Sequence, residues 1–291
     1  MQNSKLPIIS SIDDSLVTKQ LNDLANKFFS LLVLNEMQFY MFIKIMFIIG
    51  LFVFIALFFV QAGYGKFQKN SKIWSILVIP NKIAWVLMEC PVFIIMIIFY
   101  LYTHKKDRNI NTGTLVCYLL FQFHYFQRSF IFPLLIKGKS KMPIVIMMMG
   151  AIFNTCNGIL QGNWLFNISS ETLYDHLLKT PLFYIGVTIF FSGMIINIHS
   201  DHVIRTLRKP GDTNHYLPQK GMYRFVTSAN YLGEIIEWTG YAILTQSISG
   251  VLFVFWSIAN LVPRAFSIYN LYLKEFGTEV LKKKRIIPFI L

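Results

Sequence analysis

Charge is scarce in this chain. Only 14% of its 291 residues are Asp, Glu, Lys or Arg, against about 25% in a soluble domain. That shortage excludes an ordinary solvated surface. Cysteine is scarce as well. Cys90, Cys117 and Cys156 lie far apart, each within or at the edge of an apolar run, and no C-x-x-C or Cys/His spacing points to a metal. They read as small buried hydrophobes. There is no G-x-G-x-x-G and no P-loop, which excludes a soluble-type nucleotide fold as far as motifs can exclude it. No apolar h-region with a small-residue cleavage site opens the chain, so no cleaved signal is expected. No internal repeat and no separate soluble domain is visible.

What is present is apolar bulk. Hydrophobic residues make up 55% of the chain, with 28 Phe, 14 Tyr, 12 Met and 5 Trp, and the mean hydropathy is +0.52. The apolar residues fall in runs near the roughly 20 residues that a helix needs to cross a bilayer. In lipid such runs must satisfy their own backbone hydrogen bonds, so they are expected to be helices. The spans are expected at about 39–62, 84–102, 114–136, 142–162, 181–200, 225–244 and 249–266. The reading is an all-α polytopic membrane protein with about seven transmembrane helices, a polar arm over 1–38 and a single membrane-embedded domain over 39–291.

The net charge is +13, but the bases sit in short segments between apolar runs. That pattern suits the cytoplasmic loops of a membrane protein and argues against a nucleic-acid partner. Bases follow the first, third, fifth and seventh spans, which places the C-terminus in the cytosol and the N-terminus outside it. The segment His104-Lys105-Lys106-Asp107-Arg108 disagrees with that vote. Asn167-Ile168-Ser169 is a glycosylation sequon on the expected far side, compatible with the endoplasmic reticulum.

Polar groups inside apolar runs are costly and need a reason. Glu89 is one. It reads as a neutral carboxylic acid that donates a hydrogen bond, or as a structural acid paired with a base. His124, Tyr125 and Arg128 lie in the third span, where a Tyr hydroxyl is either a general acid or a packing residue with a wet end. In the sixth span Asn230, Glu234, Glu237 and Tyr241 recur at helical spacing around Trp238, on one face. They are expected to line a ligand cavity; the bland alternative is a polar seam between helices. Asp201 and Arg205 stand four apart, an ordinary surface pair by themselves. With Arg208 and Lys209 they suit nucleotide phosphates, because Arg presents a planar fork of donors.

These stretches resemble the steroid 5-alpha-reductase family. The residues that carry the likeness are Asn197-Ile198-His199-Ser200-Asp201, Leu207-Arg208-Lys209-Pro210-Gly211 and Ala229-Asn230-Tyr231-Leu232-Gly233-Glu234-Ile235-Ile236-Glu237-Trp238-Thr239-Gly240-Tyr241. Gly63-Tyr64-Gly65-Lys66, His124-Tyr125-Phe126, Asn157-Gly158-Ile159-Leu160-Gln161-Gly162 and the C-terminal Arg264-Ala265-Phe266, Tyr272-Leu273-Lys274 and Ile287-Pro288-Phe289 are also similar. The likeness runs nearly continuously from Gly63 to Leu291. It implies seven membrane helices, NADPH entering from the cytosol, and reduction of a 3-oxo-delta-4 steroid to its 5-alpha product. By position it implies that Glu89 and Tyr125 bind the 3-oxo oxygen. Asn197, Asp201, Arg208, Asn230, Glu234, Trp238 and Tyr272 would hold NADPH. Trp85, Met88 and Arg128 are the expected lining of the substrate site.

The chain departs from the family pattern in three places. Met88 stands where the family has Gln before the acid, and a thioether donates no hydrogen bond. Ser267-Ile268-Tyr269-Asn270 stands where His is frequent, and Tyr216 where a base is usual. Competing readings are an enoyl-CoA or polyprenol reductase, a membrane methyltransferase, an inactive lipid-binding homologue and, most remotely, a proton-coupled transporter.

Overall fold

The computed structural model describes residues 29–60, 77–106, 108–138, 140–207 and 215–291, together with positions 19, 23, 26 and 27. The expectations for Gly63-Tyr64-Gly65-Lys66, for Arg208 and Lys209, and for most of the 1–38 arm lie outside the described residues.

Among the described residues there are α1 (Glu36–Phe59), α2 (Asn81–Lys105), α3 (Thr112–Phe126), α4 (Ile144–Asn163), α5 (Pro181–Thr206), α6 (Ala229–Thr245) and α7 (Ile248–Phe276). Five stretches are long and apolar enough to cross a membrane: Glu36–Phe59, Asn81–His104, Ile144–Ile168, Pro181–Thr206 and Ile248–Lys282. The chain is an all-α polytopic membrane protein. The regions around α3 and α6 fall outside that set, and they are the ones that hold His124, Arg128, Glu234 and Glu237. The residues that make a site also dilute the apolar signal.

Local chemistry explains the boundaries. Asn35 and Gln38 form a reciprocal capping box, so α1 starts at Glu36, slightly before the apolar run itself. Thr180 caps α5 ahead of Pro181, where the missing N–H costs nothing. Gln246 ends α6 in the left-handed region at φ 47°, and Ser247 caps α7 through the Gly250 N–H. Two short strands, β1 (Val78–Pro80) and β2 (Lys141–Pro143), pair antiparallel. Three residues are too few to show an alternating pattern, so the sequence reading held no strand here. The ribbon ties the starts of α2 and α4 together.

Small residues then let helices approach closely, as in membrane packing generally. Along α5 and α6, a Cβ on Gly193 would sit 2.5 Å from the Gly233 carbonyl oxygen, and one on Gly240 would sit 2.7 Å from the Gly186 carbonyl oxygen. These two helices meet backbone to backbone. On α4, Gly150 receives the Met88 side chain, and Gly158 packs on Val92 and Ile95 of α2. Upstream of α1, Phe29 and Leu32 are buried, with Phe29 stacked on Tyr102 at 3.3 Å. The C-terminal run folds back onto the segment before α6: the Thr227 N–H donates to the Lys284 carbonyl at 2.9 Å and the Lys284 N–H to the Phe225 carbonyl at 2.8 Å.

Candidate active site

Glu89 sits in α2 just before Pro91. The proline supplies no N–H and loosens this turn. Across the α2/α4 contact, Asn154 is 5% exposed. Its Nδ2 donates to Glu89 Oε2 at 3.0 Å and to the Met88 carbonyl at 2.8 Å. Its Oδ1 accepts from the Tyr125 hydroxyl at 3.4 Å. Asn157, three residues on, donates to Tyr125 Oη at 3.3 Å. Gln161 continues the file, donating to Asn157 Oδ1 at 3.2 Å and to the Ser249 carbonyl at 2.9 Å. Glu89 and Tyr125, expected to act together, are therefore joined through one amide. The sequence reading missed Asn154. The spacing of Asn154, Asn157 and Gln161 on one face of an apolar helix was the available signal.

Tyr125 is 2% exposed and sits in an aromatic box. Its ring lies 4.8 Å from Phe121 and 5.8 Å from Trp238. His124 packs on Trp238 at 4.4 Å, and its Nδ1 is 2.7 Å from Glu237 Oε1. Glu237 is fully buried, so it needs this partner.

A second cluster gathers where α3 runs into the π-helical turn Gln127–Ile131. The extra residue of such a turn re-aims the side chains around it, and Arg128 lies there. Its Nη1 donates to Asp201 Oδ2 at 3.2 Å, while its guanidinium lies over the rings of Trp85 and Phe132 at 4.8 and 4.5 Å. Four carboxylates act on it electrostatically: Glu234, Asp201, Glu89 and Glu237. Asp201 thus pairs across the bundle with Arg128, whereas the sequence alone offered Arg205 one turn away. Asn230 reaches Asp201 Oδ1 at 3.5 Å and accepts from Tyr223 Oη at 3.2 Å. Asn197 donates to the Asn230 carbonyl at 3.0 Å. Tyr272 is buried and within electrostatic reach of Tyr223 and Tyr231.

The residues on the polar face of α6 have different direct partners. Asn230 joins the Asp201 cluster, Glu234 acts on Arg128, Glu237 pairs with His124, and Tyr241 is buried against Phe121 at 5.3 Å. From Asn230 to Tyr241 the helix rises about 16 Å over eleven steps, so one stripe meets several depths. Trp238, grouped with the nucleotide-holding residues by resemblance, lies beside Tyr125 and His124. Met88 packs on Gly150, and Trp85 borders Arg128, so both expected lining residues flank the Glu89 turn. Arg208 lies outside the described residues.

The family model described as 3-oxo-5-alpha-steroid 4-dehydrogenase matches residues 140–291. The chain is 37% identical over 212 residues to 3-oxo-5-alpha-steroid 4-dehydrogenase 1 of Homo sapiens, covering 73% of this chain and 81% of that protein. It belongs to this family. To the human protein named 3-oxo-5-alpha-steroid 4-dehydrogenase 2 it is 38% identical over 229 residues, covering 79% of this chain and 88% of the relative. To the Mus musculus type 1 protein it is 35% identical over 243 residues, covering 82% and 91%. The chain is thereby an oxidoreductase that works with a nicotinamide cofactor.

Proposed function

We propose that the chain reduces the 4,5 double bond of a 3-oxo-delta-4 steroid to the 5-alpha-dihydro steroid, with NADPH as the cofactor. The observation that carries this reading is the meeting of Glu89 and Tyr125 at Asn154, with the rings of Phe121 and Trp238 beside Tyr125. A carboxyl and a phenol that meet at one buried amide suit a ligand that is mostly hydrocarbon with one carbonyl.

The donor set of the second cluster fits NADPH. Asp201 and Glu234 accept from hydroxyl or carboxamide groups, and Asn230 both donates and accepts. The Ser200 and Ser228 hydroxyls are buried with no hydrogen-bond partner among the described residues, so they have capacity to spare. Asn197 fixes the α5/α6 junction on which these groups stand, Tyr272 closes the side by Tyr223, and Arg208 follows α5 in the chain. Trp238 walls the space beside Tyr125. The cofactor, when bound, supplies the hydride. The chain's own part is electrostatic. Negative charge grows on the enone oxygen as the double bond is reduced, and Tyr125 with a neutral Glu89 donates to that oxygen more strongly in the transition state than in the ground state. The buried aromatic walls keep water away and raise the worth of both hydrogen bonds.

The same reading has α3 and α6 crossing the membrane with the other five, seven spans in all, over a single membrane-embedded domain from 39 to 291. It places the protein in the endoplasmic reticulum with the C-terminus cytosolic, so that NADPH enters on the side of the basic segments. Microsomes expressing the chain test it, given radiolabelled testosterone or progesterone with NADPH and, separately, with NADH. An NADPH-dependent 5-alpha-dihydro product is expected. Tight NADPH binding with neither steroid reduced would move the substrate to another lipid enone, where Met88 beside the acid would be the first cause to examine. Absence of both product and binding would favour a methyltransferase or an inactive homologue.

A further inference from the structure

The proposed reaction needs Glu89 and Tyr125 to offer protons to one ligand oxygen, and the role inferred for their shared neighbour rests on that reading. The side chain between them is Asn154. Its orientation is fixed by chemistry, because the Met88 carbonyl, 2.8 Å away, can only accept. The edge of the amide facing it must therefore be the NH2. The second hydrogen of that NH2 points at Glu89 Oε2 at 3.0 Å. Oε2 is then an acceptor, and the proton of a neutral Glu89 is left on Oε1. The opposite edge, Oδ1, accepts from the Tyr125 hydroxyl at 3.4 Å. That separation is longer than the usual range of about 2.5–3.0 Å for O–H···O, so the contact is weak and an arriving carbonyl oxygen with better geometry displaces it. Asn157 holds the other side of Tyr125 Oη as a donor at 3.3 Å, which leaves the hydroxyl free to be a donor only. Met88 contributes a thioether packed on Gly150, one turn before Asn154. The amide reaching the acid comes from the facing helix.

We propose that Asn154 is a positioning residue of the enone site. It fixes which oxygen of Glu89 carries the proton, and it holds the Tyr125 hydroxyl proton until a ligand oxygen takes its place. Asn154 need not touch the ligand; it acts through its two neighbours.

The test uses the full chain in microsomes with labelled testosterone and NADPH. Asn154→Leu keeps the volume but removes donors and acceptor, and kcat/KM for the steroid is expected to fall about 10- to 100-fold, the size of one or two unmade hydrogen bonds. The KM for NADPH should stay within about twofold. Asn154→Asp keeps the shape but sets an acceptor against Glu89, and it should displace the pH profile of kcat/KM for the steroid. Asn154→Ser, smaller and still able to donate, should recover part of the loss and serves if the Leu variant does not fold. In a Tyr125→Phe background the further effect of Asn154→Leu should shrink, since one of its two partners is gone. An active parent whose Asn154→Leu and Asn154→Ser variants keep its steroid kcat/KM and pH profile overturns this role alone. So does a loss that appears equally in the NADPH KM, which would mark a general packing defect. A parent that reduces no enone overturns the proposed reaction and this role with it.

Discussion

Tyr125 reaches its neighbours as both donor and acceptor, through Asn154 and Asn157, with its ring held by Phe121 and Trp238. Tyr125→Phe keeps that ring packing and deletes only the hydroxyl. Turnover is expected to fall by about 10²–10³, the scale of one lost oxyanion donor, while the NADPH KM stays near the parent's; kinetics on microsomes decide it. Arg128 poses a different problem. It is a buried cation whose direct partner is Asp201 at 3.2 Å, with more negative charge nearby. Arg128→Met would leave those carboxylates facing each other without a counter-charge. Breaking a buried pair by removing one partner costs about 3–5 kcal/mol. The expected result is a lower unfolding temperature for the purified protein in detergent as well as lost activity, which separates this residue from Tyr125.

Among the elements, α5 and α6 are the most exacting pair. A Cβ on Gly233 would lie 2.5 Å from the Asn197 backbone nitrogen and 2.7 Å from the Gly193 carbonyl oxygen. Those atoms belong to helical backbone and cannot step aside. Gly233→Leu should push the helices apart and separate Asn230 from Asn197 and Asp201, seen as loss of the monodisperse chromatographic peak and of NADPH binding. The folded-back C-terminal segment offers a gentler probe. Lys283 is 4% exposed; it donates to Gln219 Oε1 at 2.9 Å and to the Tyr223 carbonyl. Burial pulls its ammonium below the ordinary lysine range, and Glu279 partly restores it. The unfolded chain therefore keeps this proton to higher pH than the folded one. By linkage, stability contributed here is absent below the folded pKa and grows as pH rises toward the free-lysine value of 10.5. Unfolding midpoints followed through the alkaline range should rise more for the parent than for Lys283→Met; parallel curves would refute the assignment.

For the whole molecule, the sequon at Asn167 connects chain direction to compartment. Its amide is already committed. Nδ2 donates to the Leu34 carbonyl at 2.7 Å and to Asn163 Oδ1 at 3.2 Å, so both hydrogens are used within a π-helical turn. Even on the lumenal side this asparagine should carry no glycan, and endoglycosidase treatment of the microsomal protein should leave its gel mobility unchanged. A mobility shift would show that the turn opens before the chain finishes folding.

Composition alone determined that this chain lives in a bilayer as helices, because a backbone in lipid has no other way to satisfy itself. The position of polar residues inside apolar runs marked Glu89, Tyr125, Arg128, Asn230 and Glu234 as groups that need a reason to be there, whereas Asp201 read by spacing alone as half of an ordinary surface pair. Partnership was beyond the sequence. Arg128 meets Asp201, 73 positions away, and His124 meets Glu237, 113 positions away, and helical periodicity says nothing about which faces touch. Asn154 was missed, although Asn157 and Gln161 share its helical face. Only tertiary packing put its amide between the acid and the tyrosine: glycines on α4 let it close on α2, and the Tyr125 hydroxyl reaches it from α3.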